Sequence, residues 1–401
     1  MRDDWKQFSL GEIVELGKGG SWGEDDPSVG LIQAVCLRGT DLADLIDGKI
    51  PDAPVRWIKE SELRKSECSK DMVLIETSGS KCGRSIVLTE EILAKFDLPV
   101  IYSNFCRTLR IETKTVTREF IEIWFSHNYA NGLIPSYRAT SAMPNLDVKA
   151  LLRVEHIQVP PLPEQKRIVD LISSVDSYIE ALQQQQNFAK QLLKALCQKT
   201  FLAEGDFVQL HTVATCIMGQ SPEGSTCNKD GIGTPLLTGP TEFQRNNRVG
   251  PPRQWTTNET KISISQDILF CVRGATAGRM NLTNYRSVIG RGLAAIRCED
   301  PMDTHFVRFA LQFGLNQLLP SAGGTIFPNI SQSQLRGFNL PWPNETERRS
   351  LASLLKSVED NTETLDQNLA ATKNLRSSLL HDLLSGKHEI STTYDKAMGA
   401  A

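Results

Sequence analysis

Apolar and polar positions along the chain fall into two long stretches of the same period. From Ile168 an apolar or small residue returns every seven positions: Ile168, Val175, Leu182, Ala189, Leu196. The second stretch repeats this as Leu351, Val358, Leu365, Thr372, Leu379. Intermediate positions complete each seam, with Leu171/Ile172, Tyr178/Ile179 and Leu192/Leu193 in the first and Leu354/Leu355, Leu369 and Leu375 in the second. A heptad pattern sustained this long predicts a coiled coil. Pro163 suits the first turn of one helix, and Asn344 with Glu347 makes a capping box for the other. The four glutamines at 183–186 interrupt the apolar seam but form helix well, so they read as a polar layer. Each helix of about 40 residues would run ~60 Å at 1.5 Å per residue, longer than a small domain is wide. The matching seams then let each helix bury its stripe on the other, antiparallel.

The helices belong to a larger repeat. "PPLPEQKRIVDLISSVDSYIEAL" at 160–182 returns as "LPWPNETERRSLASLLKSVEDNTETL" at 340–365. Upstream, "FSLGEIVELGKG" (8–19) is matched by "FVQLHTVATCIMG" (207–219), and "DMVLIETSGSKCGR" (71–84) by "DILFCVRGATAGR" (267–279). "ATSAMPNL" (139–146) is matched by "GGTIFPNI" (323–330). Two copies of one unit follow: a first domain at 1–160 with its helix at 161–203, and a second at 204–343 with its helix at 344–388. A flexible tail at 389–401 completes the division. Connectivity predicts a pseudo-two-fold tandem repeat, a dumbbell with one head at each end of the paired helices.

Composition narrows the class. No apolar run approaches a membrane span, and "MRDDWKQFSL" is too polar for a secretory leader, so a cytoplasmic protein is expected. Nine cysteines occur singly, with no CxxC pair, and read as reduced thiols and not metal ligands. The chain has no GxxxxGK[ST] phosphate loop, and the glycines of "LGKGGSWGE" (16–24) lack a strand-to-helix setting and read as a plain loop. With no nucleophile–base or paired-carboxylate constellation, the chain reads as non-catalytic. Net charge is −3, with no global footprint for nucleic acid. Residues 1–160 hold 20 basic and 24 acidic side chains, while 204–345 hold 12 and 11, ten of the twelve being arginine. Two unlike heads on a stiff rod suit two unlike half-sites on a linear polymer, up to ~18 base pairs apart at 3.4 Å each. A coiled-coil adaptor with protein-binding heads is the competing reading, favoured by the near-neutral charge.

The chain resembles the DNA-sequence specificity subunit of type I restriction–modification systems. The resemblance is carried by Pro161-Leu162-Pro163-Glu164-Gln165-x2-Ile168 and the helix behind it, the echo at 341–355, "GQSPEGSTCNKDGIGTPLL" (219–237) and "DILFCVRGATAGR". It covers essentially the whole chain. It implies two target recognition domains, each of mixed α/β (α+β) fold, that read the halves of an asymmetric bipartite DNA site. It implies that the helices space the halves and dock two methylation subunits, and that restriction motor subunits can join. Cofactors would sit in those partners: S-adenosylmethionine for adenine methylation, ATP and Mg for a motor. The residues do not separate a methylation-only complex from full restriction–modification.

DNA contacts are expected from loops where Gly, Ser or Thr adjoin Arg or Lys. In the first head these are Ser78, Ser80, Lys81 and Arg84, then Tyr137, Arg138, Thr140 and Ser141. In the second they are Arg273, Thr276, Arg279, Gly324 and Thr325, with Arg245, Asn246, Arg248 and Arg253 of "FQRNNRVGPPRQW". Residues that differ between the heads, Arg245, Arg248 and Arg253, are expected to carry sequence specificity, and the repeated Arg84 and Arg279 to serve general positioning on DNA.

Overall fold

The computed structural model describes residues 2, 4–140, 144–202, 205–319, 329–391 and 393–394. It divides into two compact units, Met1–Glu180 with Ala371–Ala401, and Ala181–Ala370. Each unit is a mixed α/β head with parts of both long helices.

In the first unit the strands are β1 (Lys6–Ser9), β2 (Val14–Gly19), β3 (Leu31–Leu37), β4 (Val55–Lys59), β5 (Val73–Glu76), β6 (Ser85–Val87), β7 (Val100–Tyr102), β8 (Cys106–Ile111) and β9 (His156–Val159). They form a β1-β9 pair, a four-stranded sheet β2-β8-β5-β6 and a three-stranded sheet β4-β3-β7. Apolar runs make the inner strands: all four residues of β5 are buried, as befits a strand covered on both faces. A head helix, Arg118–Ala130, is capped by Thr117 and buries Phe120, Ile121, Trp124 and Phe125.

The second unit repeats this order with β10 (Phe207–Gln209), β11 (Thr215–Met218), β12 (Cys227–Asn228), β13 (Thr234–Leu237), β14 (Trp255–Thr256), β15 (Ile262–Ser263), β16 (Ile268–Cys271), β17 (Met280–Leu282), β18 (Ser287–Ile289), β19 (Leu293–Arg297) and β20 (Asn339–Pro341). Its β10-β20 pair and β11-β19-β16-β17 sheet match the first unit strand for strand. Its third sheet, β12-β14-β13-β18-β15, contains the same core, one strand paired antiparallel to its successor and parallel to a later strand. The head helix here is Pro301–Phe313, capped by Asp300. The repeat read from four short stretches is therefore a repeat of topology.

The long helices run Leu162–Phe201 and Glu345–Leu384. Within the first unit Asp176 pairs with Arg376, one bond measuring 2.8 Å. Within the second, Gln186 donates to Asp366, and Cys197, further along, feels the charge of Glu359, earlier on the partner helix. That crossed order is antiparallel. Gln186 thus supplies the polar layer expected of the glutamine run. Ile168, Leu182 and Leu365 of the expected seam are buried, and Val175, Leu196, Leu351, Val358 and Leu379 are half-buried. The seam differs from expectation in two ways. Ile168 and Ile172, with Leu380 and Leu383, join the core of the first head, while Leu182, Ala189 and Leu365 form a separate helix-on-helix cluster. Tyr178, Leu192, Leu354 and Leu375 point outward, 55, 39, 46 and 61 % exposed. A 3.6-residue helix turns only one stripe inward, and the neighbours Ile179 and Leu355 take it.

A buried clamp starts each long helix. Gln165, fully buried, donates to the Pro160 carbonyl at 2.8 Å and the Thr115 carbonyl at 3.0 Å, and accepts the Thr117 N–H at 2.8 Å. Arg348 holds the matching position in the second copy. It donates to the Pro343 carbonyl at 3.0 Å and to Asp303 of the head helix at 2.6 Å, and lies over Trp342. Asn344 caps Glu347 at 3.0 Å as expected, although Glu347 returns its side chain to the Asn344 amide and not to the backbone.

The C-terminal boundary also shifts. Ile390, placed by sequence in a flexible tail, is 7 % exposed within the first head's core, and Tyr394 packs against it. Among the described residues no helix is long and apolar enough to cross a membrane.

Candidate nucleic-acid interface

The repeated loops meet at one end of the four-stranded sheet in each head. In the first head the end of β5 runs into Ser78, which bridges to Asn145, while the Gly79 N–H donates to the Pro144 carbonyl at 2.9 Å. In the second, Arg273 bridges to Asn329 at the matching place. The bond beside each bridge is also the same, Leu146 N–H to Thr77 and Ile330 N–H to Val272, at 2.9 and 2.8 Å. Two segments far apart in sequence become one surface, and they do so twice. The glycines of Gly-x3-Gly-Arg make this turn: Gly79, Gly83, Gly274 and Gly278 all have positive φ. A Cβ at Gly83 would press on Ile134, and one at Gly278 on Leu315.

The glycine-rich stretch at 16–24 feeds the same end. It is half strand and not wholly loop, since Gly17 and Gly19 belong to β2. A Cβ at Gly20 would collide with the Tyr102 carbonyl, and one at Gly219 with the Gly290 carbonyl. Ser21 and Gln220 then bond equivalent carbonyls, Tyr102 and Ile289, both at 2.9 Å.

The two arginines of the repeated motif have parted company. Arg84 is inward, bonded to Glu76 at 2.8 Å and to the Gly39 carbonyl at 3.1 Å. Burial raises the Glu76 carboxyl, and Arg84 pulls against that rise. Arg84 is thus turned inward as a structural clamp and is not presented for the DNA-positioning role expected of it. Cys271 replaces Glu76 in the second copy, donating its backbone N–H to the Arg279 carbonyl at 2.8 Å as Glu76 does to Arg84, so Arg279 is exposed with no carboxylate partner among the described residues.

Other first-head candidates divide similarly. Ser80 and Lys81 are exposed on the turn, and Thr140 is exposed on the facing segment. Tyr137 donates to Glu155 at 2.5 Å, which pushes its phenol up to about 12, and Arg138 donates to the Cys82 carbonyl at 2.9 Å while lying over Tyr129. These two build the surface more than they present it. Ser141, Gly324 and Thr325 lie outside the described residues.

In the second head Arg273 is exposed and Thr276 half-buried. The Asn/Arg run does not sit at the sheet end but along the edge strand β17, where Arg248 bridges to Leu282 and Asn281 donates to its carbonyl at 2.6 Å. Asn246 accepts the Arg248 N–H at 3.2 Å, and Asn247 donates to Glu359 of the long helix at 2.9 Å. Arg248 is half-buried and its charge reaches His305, whose imidazole is lowered to about 4, first by burial and then by Arg308, Lys356 and Arg248. Arg245 and Arg253 remain exposed. Arg291, missed in the sequence, belongs at the sheet end: its N–H donates to Ser221 Oγ, and the next residue's carbonyl takes the Val272 N–H. The signal was its position between Gly290 and Gly292.

Ion pairing then separates the heads in a way that net charge did not. Arg286, Arg297 and Arg308 have carboxylate partners. The other seven of the ten arginines at 204–345, namely Arg245, Arg248, Arg253, Arg273, Arg279, Arg291 and Arg336, make no close ion pair among the described residues, although the charge of Arg253 reaches Glu242. Six of them are exposed. Unpaired guanidiniums at a sheet end suit phosphates and base edges.

The family model for the type I restriction modification DNA specificity domain matches residues 2–191 and again 204–373. The chain belongs to this family. Each matched segment takes in one head and most of the long helix that follows it. A Methanocaldococcus jannaschii protein named as a type I restriction enzyme specificity subunit is 28% identical over 263 residues, 60% of this chain and 61% of that protein. A Mycoplasma genitalium protein named as a type I specificity subunit is 23% identical over 31% of this chain and 33% of its own length. The chain thus spans under two thirds of the length of these curated relatives. Among solved structures, the M. genitalium type I restriction-modification system S subunit aligns over 98% of both chains with a TM-score of 0.62 and 13% identity. A chain from a study of type I system assembly and conformational transition aligns over 96% of this chain and 98% of its own, with TM-score 0.56 and 22% identity. These two share the specificity-domain fold.

Arg279 gives the sharpest local test. Arg279→Ala in the assembled complex should weaken DNA binding for cognate and non-cognate sequences alike and lower the salt slope by about one. Binding isotherms across a salt series check this; an unchanged slope makes Arg279 a structural residue.

Proposed function

We propose that this chain is the sequence-specific DNA-binding subunit of a type I restriction–modification complex, with one head reading each half of a split, asymmetric site. The observation that carries the reading is the repeated sheet end: one scaffold occurs twice, with Ser80 and Lys81 presented on the first copy and unpaired Arg273, Arg279 and Arg291 on the second. A shared scaffold with different side chains is what two unlike half-sites require, since phosphate contacts position and base contacts specify. Serine, lysine and arginine supply the donors that base edges accept, arginine bidentately with guanine.

The first head lacks a basic excess, so part of the phosphate charge falls to partner subunits. Two methylation subunits would dock on the long helices, where Phe188 and Leu192, one turn apart, are 69 and 39 % exposed. Exposed aromatic and leucine side chains on successive helical turns suit a buried protein interface. S-adenosylmethionine would be held by those subunits, and ATP with Mg by motor subunits if present. The chain itself is proposed to be non-catalytic and cytoplasmic, with the helices setting the gap between half-sites.

Adenine-methylation mapping of DNA from cells expressing this chain with a methylation subunit tests the reading. Two short unlike motifs at a fixed gap are expected. An assembled complex that leaves no motif would transfer the case to the protein-adaptor reading.

A further inference from the structure

In the first unit a cavity of about 550 Å3 opens between β6, the head helix and the start of the first long helix, with Arg376 at its rim. Its walls are largely apolar, Ile86, Ile123 and Ile172 among them. Two polar groups on it are under-used. Ser85 is 6 % exposed and its Oγ has no hydrogen-bond partner. Glu122 accepts one bond, from the Val87 N–H at 3.0 Å, through one of its two carboxylate oxygens. Arg84 and Arg376, the guanidiniums on the lining, already face Glu76 and Asp176.

The second unit shows what this place accommodates. A register shift of 183, which sets Gln165 on Arg348, sets Glu122 on His305 and Asp176 on Glu359. There Glu359 is satisfied by Arg308 and by the Asn247 amide at 2.9 Å, and the charge of Arg248 reaches His305. Asn247 and Arg248 come from the segment between β13 and β14, and Arg308 from the head helix. In the first unit the corresponding segment, between β3 and β4, folds as the helix Gly39–Ile46 and lends Ala43, Leu45 and Ile46 to the cavity wall instead. Asp176 is paired with Arg376 there, which leaves Glu122 as the carboxylate on the cavity without a cationic partner among the described residues.

We propose that this cavity binds a small amphipathic cation, a guanidinium or ammonium on an apolar stem. The charge would pair with Glu122, and the stem would lie along Ile86 and Ile123. Burial pushes the empty site's Glu122 up to about 7, so a cation binds better as pH rises through that value.

Calorimetric titration of the full chain with N-acetylarginine amide, beside its neutral counterpart N-acetylnorleucine amide, tests this. At pH 8 saturable binding of the arginine probe is expected, about tenfold tighter than the norleucine probe and about tenfold tighter than at pH 5.5. Glu122→Gln should weaken it about tenfold, the loss of one ion pair. Ser126→Phe, on an exposed lining position of the head helix, should block it with an unchanged circular dichroism spectrum. No saturable binding to the native chain, or equal binding by both variants, overturns the proposal.

Discussion

Gln165→Ala should cost about 3 kcal/mol of stability and loosen the first long helix from its head. Gln165 is fully buried, and its amide ties three backbone groups: the carbonyls of Pro160 and Thr115 and the N–H of Thr117. Thr117 is the cap of the head helix, so one side chain couples the start of the long helix to the start of the head helix. Alanine leaves a buried N–H and two carbonyls without that partner, and a stranded buried donor alone costs about 1–3 kcal/mol. Glutamate is no remedy, because its second oxygen would face two carbonyl oxygens. Urea unfolding followed by circular dichroism checks the loss through the midpoint at constant slope. A shift under about 1 kcal/mol would mean that water replaces the amide and that the clamp is dispensable.

Glu122→Gln should raise stability by about 1–3 kcal/mol at pH 8 and leave it unchanged at pH 4. Burial, the dominant cause, lifts the folded carboxyl from 4.5 to about 7; Val87's N–H opposes this, and Glu119 and Asp176 add to it. Below the unfolded value both states hold the proton and nothing is lost. Between the two values the unfolded chain gives up its proton while the folded chain keeps it, so stability falls as pH rises. Above about 7 the folded carboxylate is charged in its cavity and the full cost persists. Glutamine keeps the oxygen that accepts from Val87 and removes the charge, so it gains only where the cost exists. Denaturation midpoints of both proteins between pH 4 and pH 8 decide it; curves that stay parallel would place Glu122 in water.

Much of the architecture is written in the chain. Heptad spacing specifies two long helices because a helix that buries one stripe repeats near 3.5 residues. Gly-x3-Gly-Arg specifies a turn because positive φ favours glycine, and the turn therefore appears in both copies. Pro163 and Asn344 mark helix starts through local backbone chemistry. These signals are local, so they survive being read one residue after another. The partners of a side chain are not local. Arg84 and Arg279 share a motif, yet one is spent on Glu76 and the other is exposed because Cys271 stands where Glu76 stood. Gln165 and Arg348 share no chemistry in sequence, yet both clamp a proline carbonyl to the head helix. Tyr178, Leu192 and Leu375 belong to the heptad stretches but are turned outward, since Ile179 and its counterparts win the inward stripe. The uneven supply of free arginine was likewise hidden, because net charge counts carboxylates without saying which guanidinium each one holds. Sequence determined the repeated unit and its helices; tertiary packing alone decided which charges are paired, which stripe is covered and where Glu122 meets a cavity.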